Sequence, residues 1–152
     1  MGLRNKVDKI LAVILVVIMA IMVLNVLWQV FSRYVLGSPS FFTDELARYL
    51  MIWVGILGAA YASGKNMHVA INVLPSKLEA SSQKKLRQVV RILIISFCFF
   101  AMIIGGIRLV YVTYVLEQYS PALNLPLSVV YSVIPLSGLL IIFYKISDIL
   151  KD

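Results

Sequence analysis

Four long apolar stretches, separated by charged or Pro/Ser-rich breaks, occupy most of the chain: Ile10–Val30, Leu46–Ala62, Ile92–Ile107 and Leu127–Tyr144. The hydrocarbon core of a bilayer is roughly 30 Å thick, so a helix needs about 17–25 largely apolar residues to cross it. All four stretches reach this length when their flanks are included, because flanking arginines can extend their charge toward the interface. The sequence therefore predicts an all-α integral membrane four-helix bundle, a single membrane domain (1–152) with spans at about residues 10–31, 44–63, 89–111 and 126–145.

Most of the positive charge lies on one side of these spans. It precedes the first span, fills the loop between the second and third, and follows the fourth: Arg4, Lys6, Lys9; Lys65, Lys77, Lys84, Lys85, Arg87, Arg91; Lys145, Lys151. By the positive-inside rule, this pattern predicts that both termini and the central loop are cytoplasmic. A basic surface there would meet anionic lipid headgroups, and this explanation of the net charge of +7 is preferred over nucleic-acid binding.

The middle of the predicted spans contains no Asp, Glu, Lys or His. A proton-coupled antiporter would need a carboxylate at that depth, and a haem-bearing anchor would need axial ligands, whereas His68 is the only histidine. Cys98 is the only cysteine, so the sequence offers neither a disulfide nor a sulfur metal site. We therefore expect no catalytic residue, no substrate-binding residue, no metal site and no cofactor in this chain.

Charged residues are also found at the break between the first and second spans: Arg33, Asp44, Glu45 and Arg48. Thr43 is a candidate N-cap for the second helix, with both acids in its first turn, where the helix dipole favours carboxylates. Asp44 and Arg48 have the i, i+4 spacing of a helical ion pair. Two interpretations stay open: a capping and ion-pair cluster that stabilises the hairpin, or a docking point for a partner.

The second span carries small residues at helical spacing, and its packing face is predicted to consist of Gly55, Gly58, Ala59 and Ala62. Small side chains let another helix backbone approach closely inside the membrane. This face is a candidate either for the centre of the bundle or for contact with a partner. Trp53, in the same helix, is expected to pack against lipid or a partner rather than to stack on substrate.

Two further features concern the second half of the chain. Arg108 is expected to extend toward the interface, although an outer ion pair with Glu117 is an alternative. Pro135 is expected to kink the fourth span, because proline cannot donate a backbone hydrogen bond. A short interfacial helical segment is predicted in the central loop, around His68.

An ordered set of motifs runs from Arg33 to Asn72: Arg33-Tyr34, then Thr43-Asp44-Glu45-Leu46-Ala47-Arg48-Tyr49, Trp53, Gly58-Ala59-Ala60 and His68-Val69. This set resembles the small permease subunit of tripartite ATP-independent periplasmic (TRAP) transporters, as do the size and the four spans. The family often has two glutamates where Asp44-Glu45 stands. It also often has an aspartate where this chain has Asn72.

The resemblance implies a scaffold subunit in the bacterial inner membrane. Its partners would be a large multi-span permease subunit, which carries organic acids inward with sodium ions, and a periplasmic solute-binding protein, which delivers them. Sodium would bind the large subunit, and membrane lipids would surround this one. The alternative from the residues alone is a self-associating four-span transporter or channel, which would transport without partners. A third, an anchor of a membrane redox enzyme, would show a haem absorption band.

Overall fold

A computed structural model describes residues 3–38, 40–65 and 80–149. Its helices are α1 (Leu3–Val35), α2 (Phe41–Gly64), α3 (Ala80–Phe97), a π-helical segment (Cys98–Gly105), α4 (Gly106–Val115), α5 (Leu127–Tyr131) and α6 (Val133–Ile149). Four helical stretches are long and apolar enough to cross a membrane: Arg4–Val35, Phe41–Gly64, Gln88–Val115 and Leu127–Ile149, which we call spans 1 to 4. The predicted all-α, four-helix membrane architecture is confirmed.

The start of span 2 differs from the sequence prediction. The helix begins at Phe41, with Ser40 as the N-cap residue, so the assignment of Thr43 as N-cap is wrong. Thr43 is buried inside the first turn, where its hydroxyl donates to the Ser40 carbonyl at 2.8 Å. The Thr43 carbonyl in turn accepts a hydrogen bond from the Asn25 side chain of span 1 at 2.7 Å. The two spans are therefore joined at the hairpin, and the helix includes the two phenylalanines before Thr43.

Span 4 lies at the centre of the arrangement. Span 1 packs against span 2, span 2 packs against span 4, and span 4 packs against span 3. The most buried side chains belong mainly to spans 2 and 4, and they include Leu57, Ala60, Val133 and Tyr144. The turn that follows span 1, at residues 36–38, and the turn between spans 3 and 4, at residues 116–126, lie at one end, which we call the hairpin end. The other end, which contains Arg4, Lys65 and Lys145, we call the basic end.

Three glycines allow the helices to approach closely. A Cβ on Gly106 would lie 2.9 Å from the Pro135 ring, and a Cβ on Gly138 would lie 2.9 Å from the Met102 side chain. These two contacts join spans 3 and 4. The third is Gly64, where an added Cβ would lie 2.8 Å from the Tyr144 ring. This contact joins spans 2 and 4. Such distances are shorter than packed atoms tolerate, so larger side chains at these positions would force the helices apart.

Spans 3 and 4 are not regular α-helices throughout. Residues Cys98–Gly105 of span 3 are π-helical, a geometry that the sequence analysis did not predict. In span 4, α5 ends at Tyr131 and α6 begins at Val133, so that Pro135 lies in the first turn of α6. The proline has no N–H to donate to the carbonyl of Tyr131, which accounts for the interruption. The regular helix of span 4 is thus interrupted near the proline, and the expected kink stays a prediction.

Candidate functional site

The charged cluster predicted at the hairpin end divides into an exposed part and a buried part. Asp44 and Arg48 form an ion pair at 3.2 Å, with side chains 60% and 69% exposed. Gln29 of span 1 also donates to Asp44 at 3.3 Å. This part of the cluster faces solvent, and such exposed pairs contribute little to stability.

Glu45 forms the buried part. Its side chain is 9% exposed, and its Oε2 atom accepts three hydrogen bonds from the turn between spans 3 and 4. The donors are the Ser120 hydroxyl at 2.9 Å, the Ala122 N–H at 2.9 Å and the Leu123 N–H at 3.0 Å. Neighbouring acids that look equivalent in the sequence therefore have different surroundings. Sequence reasoning missed this because the donors lie more than 70 residues away in the chain.

The turn that Glu45 contacts is also hydrogen-bonded within itself. The Ser120 N–H donates to the Leu125 carbonyl at 2.9 Å, and the Asn124 N–H donates to the Ser120 carbonyl at 3.0 Å. Asn124 has a positive φ of 50°, which asparagine tolerates better than most residues. Beside this contact, an open cavity of about 620 Å³ lies between the turn and the start of span 2. It is lined by Phe41, Phe42, Asp44, Glu45, Arg48, Pro121 and Ala122.

The remaining charged residues predicted for the hairpin end do not join this arrangement. Arg33 is exposed, and no ion pair involves it among the described residues. Arg108 and Glu117 are both exposed and form no ion pair with each other in the described part of the chain. Arg108 lies in α4, which ends at Val115, whereas Glu117 lies in the turn beyond it with a positive φ of 47°.

The predicted packing face of span 2 is not covered by the part of the chain that the structure describes. Gly55 and Ala59 are exposed, and a Cβ on Gly55 or Gly58 would meet no atom within 4 Å. Ala62, the last member of the face, is partly buried. Span 2 instead packs on its own bundle through Leu57, Ala60, Ser63 and Gly64. The described residues therefore do not place this face at the centre of the chain's bundle, and its contact with a partner stays a prediction.

Trp53 packs within the chain rather than away from it. Its indole N–H donates to the Val130 carbonyl of span 4 at 3.1 Å, and its ring is partly buried against the core. A buried indole N–H usually finds such a partner. The residue therefore helps to join spans 2 and 4.

The basic end contains a network of charged side chains that the sequence analysis did not identify. The Arg4 guanidinium of span 1 pairs with Asp148 of span 4 at 2.5 Å and donates to the Gly64 carbonyl of span 2 at 2.6 Å. Lys145 donates to the Ser63 carbonyl at 3.2 Å and lies 3.9 Å from Asp148. Three spans are therefore joined by one buried carboxylate and two cations.

A second part of the network surrounds Asp8. Its carboxylate pairs with Lys65 at 3.1 Å and accepts a hydrogen bond from the Tyr144 hydroxyl at 2.7 Å. One signal in the sequence could have indicated the network: Asp8 and Asp148 are acids placed among basic residues near the two ends of the chain. Spacing along one helix does not show it, because most partners come from different spans.

Other predicted residues can be placed only in part. His68 and Asn72, together with the predicted interfacial segment, lie outside the described residues. Cys98 is buried in span 3, consistent with a packing residue. Among the described residues, no group of three or more His, Cys, Asp or Glu side chains is placed to hold a metal ion.

These features define a small multi-pass membrane protein whose charged side chains lie near the ends of its spans. The chain belongs to the DctQ component family of tripartite ATP-independent periplasmic transporters, whose family model matches residues 22–152. The family is a transporter component rather than an enzyme family, and the resemblance predicted from the motifs is confirmed.

Individual relatives agree with this assignment. The chain is 30% identical over 140 residues to a provisionally named TRAP transporter small permease protein of Haemophilus influenzae, covering 92% of this chain and 85% of that protein. It is 29% identical over 139 residues to the ectoine TRAP transporter small permease protein TeaB of Halomonas elongata, covering 88% and 69%. It is also 36% identical over 80 residues to the sialic acid TRAP transporter permease protein SiaT of Haemophilus influenzae, covering 53% of this chain but only 13% of that protein.

Proposed function

We propose that this chain is the scaffold subunit of a sodium-coupled transporter that imports organic acids across the bacterial inner membrane. In this proposal it supports a large permease subunit, which receives the solute from a periplasmic solute-binding protein. The hairpin end faces the periplasm and the basic end faces the cytoplasm, in keeping with the positive-inside rule. Membership of the family supports the assignment to this kind of transporter.

The observation that carries the proposal is the uncovered face of span 2, formed by Gly55, Gly58, Ala59 and Ala62. Lipid supplies no hydrophobic drive for helix association, so membrane helices associate through close contacts at small residues. This face has the required residues, and its glycines have open space beside them. The similarity to a short part of the much longer permease SiaT supports a large permease as the partner.

The distribution of charge supports a role without transport. Substrate and coupling-ion sites in secondary transporters lie near the midplane, at discontinuous helices. The four spans of this chain, all within the described residues, carry their charged residues near their ends. We therefore assign the sodium and substrate sites to the large subunit and expect no cofactor here. The relatives' names include different solutes, ectoine and sialic acid, so we also assign solute choice to the other polypeptides.

A reconstitution experiment tests the proposal. Vesicles with a sodium gradient are prepared with the large permease alone, with this chain alone, or with both, and solute uptake is measured after adding the loaded binding protein. We expect uptake only when this chain is present. Normal uptake in its absence would contradict the scaffold role, and uptake by this chain alone would support the self-associating transporter instead.

A matched pair of substitutions tests the face of span 2. Ala59→Leu places a larger side chain on the uncovered face, and Ala20→Leu makes the same change at an exposed position in the middle of span 1. We expect Ala59→Leu to reduce copurification with the large permease and Ala20→Leu to leave it unchanged, because only the first blocks close backbone approach. Gly58→Leu should behave like Ala59→Leu. Equal copurification for all three variants would refute the assignment of this face.

A further inference from the structure

Glu45 connects parts of the molecule that are far apart in the sequence. It lies just after the first turn of span 2, and its three donors lie in the turn between spans 3 and 4. A buried carboxylate is costly unless hydrogen bonds satisfy it, and bonds to a charged oxygen are among the stronger ones in proteins. The contact therefore holds the second hairpin turn against the first.

The three hydrogen bonds converge on one atom. Oε2 accepts from the backbone N–H groups of Ala122 and Leu123 and from the Ser120 hydroxyl, and that hydroxyl oxygen also accepts from the Leu123 N–H at 3.2 Å. Residues 120–123 thus close around a single oxygen. Without the Glu45 carboxylate, the N–H groups of Ala122 and Leu123 would lose this acceptor. The turn would also lose its direct hydrogen bonds to span 2.

The contact between Glu45 and the turn also brings two segments together into one surface, which we call the composite surface. The open cavity of about 620 Å³ has walls from both sides: Phe41 and the Asp44–Arg48 pair come from span 2, and Pro121 and Ala122 come from the turn. Phe41 is 78% exposed. The surface therefore combines an exposed aromatic ring with charges of both signs, and its shape depends on where the turn is held.

We propose that Glu45 is a positioning residue that holds the turn 120–123 in place, so that this composite surface can receive the periplasmic solute-binding protein. The inference rests on the proposed function, since it requires a binding protein on that side of the membrane. Glu45 lines part of the cavity, but it acts by holding the turn, because its carboxylate is buried and its Oε2 atom is engaged with residues 120–123. The partner contributes an apolar side chain to the cavity and charged groups opposite Asp44 and Arg48.

Three variants in the assembled transporter test this inference. The readouts are the binding-protein concentration that gives half-maximal uptake, the maximal uptake rate and copurification with the large permease. Glu45→Ala should raise the half-maximal concentration by about tenfold, because the turn loses three charge-assisted hydrogen bonds. Glu45→Gln should lose no more than about threefold, because its amide oxygen can still accept from donors of the turn, although without the negative charge. Ser120→Ala should give an intermediate value.

A matched control and the contrary outcomes complete the test. Glu117→Gln changes an exposed acid at the same end and should leave all three readouts unchanged. The inference is overturned if Glu45→Ala leaves the half-maximal concentration unchanged, or if Glu45→Gln is as impaired as Glu45→Ala. Loss of copurification in Glu45→Ala that Glu45→Gln does not restore would also overturn it. Uptake that needs no small subunit at all contradicts the proposed function instead, so the two failures are distinguishable.

Discussion

At the basic end of the bundle, side chains of spans 1 and 4 contact one another and backbone carbonyls of span 2, mostly away from solvent. At the hairpin end, the ion pair is exposed, and the buried carboxylate accepts from two backbone N–H groups and one hydroxyl. Asp148 is 7% exposed and lies beside Arg4 and Lys145, whereas Asp44 is 60% exposed. The basic end thus fixes the spans to one another. The hairpin end keeps the Asp44–Arg48 pair accessible, as a surface for a partner requires.

The difference has an energetic consequence. Removing one partner of a buried ion pair leaves an uncompensated charge and costs about 3–5 kcal/mol, whereas exposed pairs typically contribute about 0.2–1 kcal/mol. Substitutions at the basic end should therefore affect the stability of the subunit. Those at the exposed part of the hairpin end should affect its interactions.

The largest effect is expected at Asp148. Asp148→Ala leaves Arg4 without its carboxylate partner and Lys145 without its nearest acid, so the free energy of unfolding should fall by about 3–5 kcal/mol. Thermal unfolding of the purified subunit in detergent measures the change. Asp44→Ala is the control from the other end and should shift the midpoint far less. Equal shifts would contradict the contrast between the two ends.

A smaller effect is expected from a matched pair of glycines in span 2. Gly64→Ala puts a methyl group 2.8 Å from the Tyr144 ring, next to the network of the basic end, whereas Gly58→Ala meets nothing within 4 Å. Overpacking typically costs about 1–3 kcal/mol. The same unfolding measurement should show a loss for Gly64→Ala only. If Gly58→Ala were the more harmful, the assignment of the two faces of span 2 would be reversed.

The smallest effect on stability, and a distinct effect on interaction, is expected at Asp44. Charge reversal by Asp44→Lys should lower stability by no more than about 1 kcal/mol, because the pair with Arg48 is exposed. It should reduce uptake driven by the binding protein, and added salt should weaken the difference because exposed charges are screened. Copurification with the large permease should be unaffected. Loss of copurification would mean that the pair stabilises the hairpin or the assembly instead.

Composition and hydropathy were enough to predict the helical membrane fold, because a chain can satisfy its backbone inside lipid only through regular hydrogen bonding. The effect of Pro135 was predictable for a similar reason, since it follows from one missing N–H. The π-helical segment of span 3 was not, because its sequence, Cys98–Gly105, carries no local signal for that geometry.

The site was less predictable than the fold. The i, i+4 pair of Asp44 and Arg48 can be derived from one helix alone. The contacts of Glu45 and Asp148 depend on which spans are neighbours, and the order of packing, with span 4 between spans 2 and 3, is not encoded in any single segment. Small residues posed the same problem: Gly64 and Gly106 pack within the chain, whereas Gly55 and Gly58 do not.

The central claim is that the uncovered face of span 2 belongs to the partner, and spin labels test it most directly. The single cysteine is buried, so Cys98→Ala followed by Ala59→Cys or Ala20→Cys gives one label at a defined exposed site. Mobility of each label is measured in the isolated subunit and in the complex with the large permease. We expect the label at position 59 to lose mobility in the complex while the label at position 20 does not. Unchanged mobility at position 59 would contradict the account.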